Sequence, residues 1–495
     1  MSHTLLAIDQ GTTSSRAILF STDGQIIGIR QKELTLHYPQ NGWVEQEAHD
    51  IWQDSLWAAR SVISDHPEAA RTLAAIGITN QRETTLLWNR HTGEPIYNAI
   101  VWQDRRTASQ CDTLKQQGHE TAITAKTGLL LDPYFSATKI SWILDHVSGA
   151  RAAAERGDLA FGTVDCFLLW HLTAGKVHAT DATNASRTML FNIKTQSWDD
   201  ELLALFNVPR SLLPTVHDNV HDFGHTEAGL LGKSYTIGGM AGDQQAALIG
   251  QACFEPGMVK STYGTGCFAL MNIGSEYRLS QHRLLTTQAY RLQGQSRYAI
   301  EGSIFVAGAA IQWLRDGLHI ITTAAQSEEL AQEVNDTNGV YLVPAFTGLG
   351  APYWNPRSRG AILGLTREST AAHITRAALE AQAYQTRDLM DAMTADTGTH
   401  PAVIRADGGL VHNQFVCQFI ADILDTPLDI PHVTETTAWG AACLAGLQSG
   451  VYQGLDDITA HWQQAKRYTP ALAEAKREQL YQGWQAAIRS VMAAA

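Results

Sequence analysis

A chain of 495 residues exceeds what one hydrophobic core usually holds, so it divides into at least two units. Its 44% hydrophobic and 17% charged content excludes a disordered chain, and a net charge of −13 excludes an extended basic surface for nucleic acid. Six scattered cysteines (111, 166, 253, 267, 417, 443) show no metal-ligand spacing and read as reduced, buried thiols of a cytoplasmic protein. No apolar run approaches the ~18–20 residues of a membrane span, and no basic segment followed by an apolar one opens the chain.

In chain order, Leu5–Ile8 and Ala17–Phe20 read as strands joined by Asp9-Gln10-Gly11-Thr12-Thr13-Ser14-Ser15-Arg16. Gly11 lets backbone N–H groups approach an oxyanion, the four hydroxyls from Thr12 to Ser15 add donors, and Arg16 adds a cation. Asp9 is an acceptor suited to a hydrated Mg²⁺. Read alone, the same segment is equally an ordinary polar hairpin. Asp23-Gly24 then predicts a second hairpin, making 5–33 a three-stranded antiparallel meander. Trp52, Leu56, Ala59 and Ile63 share one face of a predicted helix over 49–66. Ala74–Thr79 is a buried strand ending in Asn80-Gln81-Arg82-Glu83-Thr84-Thr85. Strands and helices alternate to about residue 250, which predicts a layered α/β structure.

The strand Tyr235–Gly239 leads through Ala241-Gly242-Asp243-Gln244-Gln245 into a helix starting at Gln244. Asp243 there is either a helix N-cap or a general base for a substrate hydroxyl, two roles that are compatible. After Gln251–Gly257 the opening theme returns, with Met258–Tyr263, Gly264-Thr265-Gly266 and Cys267–Met271 forming strand, turn and strand. An internal repeat of this kind predicts two similar α/β units with a boundary near residue 252 and a cleft between them. Strands at Leu285–Leu292 and Arg297–Glu301 follow, then helices near 304–316, 371–393, 412–424 and 437–449, and a charged closing helix over 471–493. Asp407-Gly408-Gly409 is a third glycine turn before a helix. Two motifs are decoys. Asp222-Phe223-Gly224 lacks the other protein-kinase signatures, and Gly232-Lys233-Ser234 has Glu227 where a Walker loop requires glycine.

The segment Asp9–Arg16 resembles the first phosphate loop of the FGGY carbohydrate kinases, which share the actin, hexokinase and chaperone ATPase fold. The resemblance recurs in blocks to about residue 446, including Tyr134–His146 and Gly360–Glu380. Within that family, Gly77–Thr84 and Ala241–Gln245 resemble the members that phosphorylate glycerol. The resemblance implies two ribonuclease-H-like domains, 1–252 and 253–495, with an interdomain cleft. It implies ATP and Mg²⁺, the metal held through water by Asp9, and Asp243 as the base. Nucleotide contacts fall on Thr12, Thr13, Ser14, Arg16, Thr265, Gly308, Gln312, Gly409 and Asn413. Polyol contacts fall on Arg82, Glu83, Trp102, Tyr134, Asp243, Gln244 and Phe268, with Arg82 and Glu83 bracketing neighbouring hydroxyls. It also implies a cytoplasmic homodimer or homotetramer with no nucleic-acid partner. Alternatives are a kinase of a pentulose or gluconate, and a non-catalytic actin-like ATPase switch. Gly232-Lys233-Ser234-Tyr235 departs from the Gly-Gly-Thr-Arg turn through which some relatives bind a sugar bisphosphate.

Overall fold

The computed structural model describes residues 3–355 and 357–495. The first strands follow the predicted meander: β1 (Thr4–Gln10), β2 (Ser14–Ser21) and β3 (Ile26–Glu33) pair antiparallel in sequence. Helix α1 (Ala48–Asp65) buries the expected face, with Trp52, Leu56, Ala59 and Ile63 all inward. β4 (Leu73–Asn80) lies parallel to β1, and β5 (Ile237–Gly242) lies parallel to β4. The resulting five-stranded sheet has the order β5-β4-β1-β2-β3. Helix α2 (Asp243–Gly250) leaves directly from β5.

The second half repeats this plan. β6 (Val259–Tyr263), β7 (Cys267–Gly274), β8 (Leu285–Leu292) and β9 (Gln295–Ile304) are followed by helices α3 (Gly308–Asp316) and α4 (Ala371–Thr397). Next come β10 (Ile404–Asp407), α5 (Gln414–Leu424), β11 (Leu428–Pro431), α6 (Thr436–Gln448), β12 (Gln464–Tyr468) and α7 (Glu474–Ala493). The seven-stranded sheet runs β8-β9-β7-β6-β10-β11-β12. Its segment β9-β7-β6-β10-β11 has the order and strand directions of β3-β2-β1-β4-β5 in the first sheet. The repeat legible around two turns is therefore a repeat of whole sheets.

Helix α6 couples the halves. Although late in sequence, it packs on the first sheet: Phe20 and Trp439 place ring centroids 5.3 Å apart, and both are buried with Leu5, Ala7, Ile18 and Leu444. Burial of each such large apolar side chain is worth ~1.5–3 kcal/mol. Small residues set the distance. A Cβ at Gly440 would lie 1.8 Å from the Ala246 carbonyl oxygen, so α2 and α6 cross with their backbones in contact. A Cβ at Gly77 would meet the Ala441 oxygen at 2.0 Å, seating α6 equally tightly on β4.

Three boundaries differ from the sequence reading. The strand expected at 235–239 runs instead over Ile237–Gly242. Gly238 and Gly239 mark close packing against α6, where a Cβ at Gly239 would meet the Ala445 nitrogen at 2.5 Å. The helix expected from about 304 starts at Gly308, because β9 continues through Ile304 to pair with Cys267. Asp243 is not an N-cap: Gly242 occupies that position, and Asp243 is the first helical residue.

Candidate functional site

The first turn is held from below by a glutamine network. Gln81 donates to the side chains of Gln10 (3.0 Å) and Gln46 (2.8 Å), and Gln46 donates to the Thr12 carbonyl at 2.6 Å. The Gly11 N–H donates to the Ser14 carbonyl at 2.9 Å, closing a tight turn that leaves Thr13 exposed and Thr12 and Ser14 half-buried. The fourth hydroxyl does not join them. Ser15 already lies in β2, where strand alternation turns its Oγ into the interior without a partner. Asp9, at the end of β1, forms an ion pair with Arg16, its register partner on β2. Arg16 also reaches Glu435 at 2.7 Å, just before α6, so the loop's cation bridges the two halves.

The residues expected to contact a polyol gather where β4 and β5 end. Beyond β4 the chain turns sharply: Thr84 N–H donates to the Arg82 carbonyl at 2.7 Å, and Glu83 takes φ 61°. A glutamate in the left-handed region is a strained conformation. Ser136 and Thr85 hold it by donating to the Glu83 carbonyl, each at 3.0 Å. Arg82 Nε then lies 3.3 Å from Asp243 Oδ1, and Arg82 Nη2 lies 3.5 Å from the Tyr134 hydroxyl. Trp102 meets Tyr134 edge-on at 5.5 Å and Phe268 at 6.2 Å, so aromatic rings from both halves wall the same spot. Trp102 Nε1 donates to Thr12 Oγ1 at 2.9 Å, tying this wall to the first turn.

The adjacent donor and acceptor, Arg82 and Glu83, do not stand open to solvent. Both are nearly fully buried, and two residues absent from the sequence reading engage them. Glu301, on β9 of the second sheet, accepts from Arg82 Nη1 at 2.7 Å and Nη2 at 2.9 Å. Arg187 donates to Glu83 at 2.6 Å and to Glu301 at 3.1 Å, while its Nη1 is buried without a partner. Glu301 did carry a signal, as a lone charge inside the apolar strand Tyr298–Ile304. Arg187 carried none.

Electrostatics separate the carboxyls. Burial pushes the Asp243 carboxyl up to about 6, and neighbouring Glu83 pushes the same way, while Arg82 and Lys260 draw it down. Its side chain nonetheless keeps 30% exposure, so it is reachable. Burial also raises Glu301, but Arg187 and Arg82 outweigh it and hold that carboxyl down at about 2. The Lys139 ammonium, buried and donating to the Tyr134 carbonyl at 2.7 Å, is pushed down to about 8 by that burial. Gln244 turns inward, its side-chain oxygen accepting from the buried Lys260, which also donates to Thr262 Oγ1 at 3.0 Å.

The second and third turns lie together on the other sheet. Gly264 N–H donates to the Gly266 carbonyl at 2.8 Å, and Gly308 N–H donates to the Gly264 carbonyl at 3.0 Å. A Cβ at Gly308 would sit 2.6 Å from that carbonyl, so the start of α3 is pressed against the turn bearing exposed Thr265. Gly408 takes φ 94° against the Tyr263 backbone, leaving Gly409 exposed with open space where a side chain would project. Asn413 caps α5 through Val416 N–H at 3.0 Å, and Gln312 is exposed on α3.

Comparison with known proteins agrees with this architecture. Residues 4–250 match the N-terminal domain, and 259–449 the C-terminal domain, of the FGGY family of carbohydrate kinases. The chain is 63% identical to a glycerol kinase of Nitrosomonas eutropha over 488 residues, covering 99% of this chain and 98% of the relative. It is 59% identical to glycerol kinase 1 of Pseudomonas aeruginosa over 491 residues, covering 99% of each. The crystal structure of Plasmodium falciparum glycerol kinase with ADP superposes with a TM-score of 0.93 at 33% identity, covering 99% of this chain and 98% of that one. A gluconate kinase from Lactobacillus acidophilus superposes at 0.89 with 22% identity, covering 100% of this chain and 99% of that one, a likeness of fold alone. With both halves matched and whole-length relatives at this identity, the chain belongs to the FGGY family of carbohydrate kinases.

Proposed function

We propose that the protein transfers the γ-phosphoryl group of ATP to a terminal hydroxyl of glycerol, giving sn-glycerol 3-phosphate and ADP. The observation that carries the chemistry is Asp243: a reachable carboxylate at a helix start, poised at about 6, 3.3 Å from Arg82 Nε, with Arg82 Nη2 3.5 Å from the hydroxyl of Tyr134 in the aromatic wall. The choice of glycerol draws on the full-length relatives of that name.

Phosphoryl transfer asks a protein mainly to position groups and offset charge. Asp243 accepts the hydroxyl proton as the oxygen bonds to the γ-phosphorus and the bond to the ADP oxygen breaks. Trp102, Tyr134 and Phe268 hold the carbon chain, and Arg82 faces both Asp243 and the Tyr134 hydroxyl. Thr12, Thr13 and Ser14 on one side and Thr265 on the other offer donors to the phosphates, with Gly308, Gln312, Gly409 and Asn413 around the nucleoside. The residues fit Mg²⁺, which takes one or two carboxylates together with phosphate oxygens and water. Asp9 would hold it through water, since Arg16 engages Oδ2 and leaves Oδ1 outside that pair. Among the described residues no group of three or more His, Cys, Asp or Glu forms a cage, so phosphates and water would complete the shell. When bound, the ion neutralises charge on the phosphate oxygens. Closure of the halves around the substrates would exclude water and limit idle ATP hydrolysis.

The reading extends to residues 1–252 as the polyol and base domain and 253–495 as the adenosine domain, although α6 of the latter packs on the first sheet. A cytoplasmic homo-oligomer fits the six free, buried cysteines and the family pattern. No helix among the described residues is long and apolar enough to cross a membrane. The test is ADP formation with glycerol, xylulose and gluconate as acceptors. We expect the highest kcat/KM for glycerol; a higher value for either competitor overturns the assignment.

A further inference from the structure

The buried charge cluster of Arg82, Glu83, Arg187 and Glu301 is more elaborate than proton abstraction requires. Arg82 and Arg187 of the first half meet Glu301 of the second, and all three side chains are at most 2% exposed. The contact spans 219 residues of sequence. Glu301 takes both Nη atoms of Arg82 along one edge of the guanidinium, a bidentate geometry that sets its plane as well as its position. The other contacts of this guanidinium are longer, with Asp243 3.3 Å from Nε. Gln245 lies near Nη1 at 3.2 Å, and the Tyr134 contact at 3.5 Å is long.

We propose that Glu301 is a positioning residue for the acceptor: from the second sheet it locks the Arg82 guanidinium so that Nε faces Asp243 and Nη2 faces the Tyr134 hydroxyl and the bound polyol. The role rests on the polyol-kinase reading above. Glu301 sits on β9, two residues from Ser303, which pairs in register with Phe268 of the aromatic wall. One strand segment therefore presents the lock, and its neighbour presents part of the wall. The groups facing Asp243 are Arg82, Glu83, Lys260 and the Gln244 N–H, and Arg187 neutralises Glu83 from behind. Glu301 offsets the charge of Arg82, so its removal leaves Arg82 freer to stabilise an ionised Asp243.

The test is Glu301→Gln, with Glu301→Asp beside it. The glutamine keeps the volume but turns an NH₂ donor toward a guanidinium that has only donors, so the lock opens. Loss of a charged, bidentate contact predicts a rise of about tenfold or more in KM for the acceptor. KM for ATP stays unchanged, and the acidic limb of kcat/KM moves to lower pH. Glu301→Asp keeps the charge but shortens the reach, so KM rises while the limb stays in place. A merely structural role would lower thermal stability and active fraction together, without moving the limb. The proposal is overturned by a folded Glu301→Gln enzyme with unchanged acceptor KM and an unmoved limb. If that variant does not fold, unchanged acceptor KM in Glu301→Asp overturns it. Should the unmodified enzyme prefer another polyol, the glycerol reading fails separately, and the same comparison is made with that acceptor.

Discussion

The pH dependence of turnover tests the base directly. Asp243 is perturbed mainly by burial, which disfavours its charged form and places it at about 6, above the ~3.9 of an ordinary aspartate. A general base must be ionised in the free enzyme, so activity is present above the raised pKa and lost as pH falls through it. At pH 7 about nine-tenths of Asp243 is ionised, and at pH 5 about one-tenth, giving a fall of roughly tenfold in kcat/KM over those two units. An unperturbed aspartate would still be about nine-tenths ionised at pH 5, with little loss. The assay is direct measurement of product at subsaturating glycerol and saturating ATP between pH 5 and 8. Asp243→Asn should remove ~10²–10⁴-fold of the rate and abolish the limb, while ADP binding is retained. A profile still flat at pH 5, or near-normal turnover of Asp243→Asn, refutes the assignment.

Other outcomes follow from close contacts. Gly308→Ala places a methyl 2.6 Å from the Gly264 carbonyl, so it should displace the second phosphate turn and raise KM for ATP with KM for glycerol little changed, as steady-state kinetics would read. Gly440→Ala drives a Cβ to 1.8 Å from the Ala246 carbonyl where α2 and α6 cross; overpacking there should cost ~1–3 kcal/mol, visible as a lower denaturation midpoint. Trp102→Ala removes a ring that contacts Tyr134 and Phe268 and donates to Thr12, so KM should rise for both glycerol and ATP, whereas a purely apolar wall would affect glycerol alone.

Much of this molecule is written locally. Alternation and the Asp23-Gly24 pair specify the first meander, and the spacing of Trp52, Leu56, Ala59 and Ile63 specifies α1, because strands and amphipathic helices declare their buried faces through short periods. The doubled strand–turn–strand theme likewise announced two related halves, since each turn carries its own glycines and hydroxyls. Where local rules misled, a tertiary contact had taken over. Gly242, read as part of the link from strand to helix, is still strand and is crowded by Arg82, while Gly238 and Gly239 lie where the approach of α6 leaves no room for side chains. Asp243 looks like a cap but stands one residue inside its helix.

What no stretch of sequence contains is the partnership of charges at the site. Arg82 and Glu83 read as an adjacent donor and acceptor, and Glu301 and Arg187 enclose them, contributed by segments 219 and 104 residues away. Ion pairs have no period, and their cost when buried is met only once every partner has arrived. Residue chemistry thus marked Asp243 as a cap or a base and the first two glycine turns as phosphate donors, while the aromatic walls came only with the family resemblance. The meeting of the two halves decided how far the base is lifted above its ordinary pKa and which edge of Arg82 is taken by Glu301, because burial and charge geometry exist only in the assembled interior.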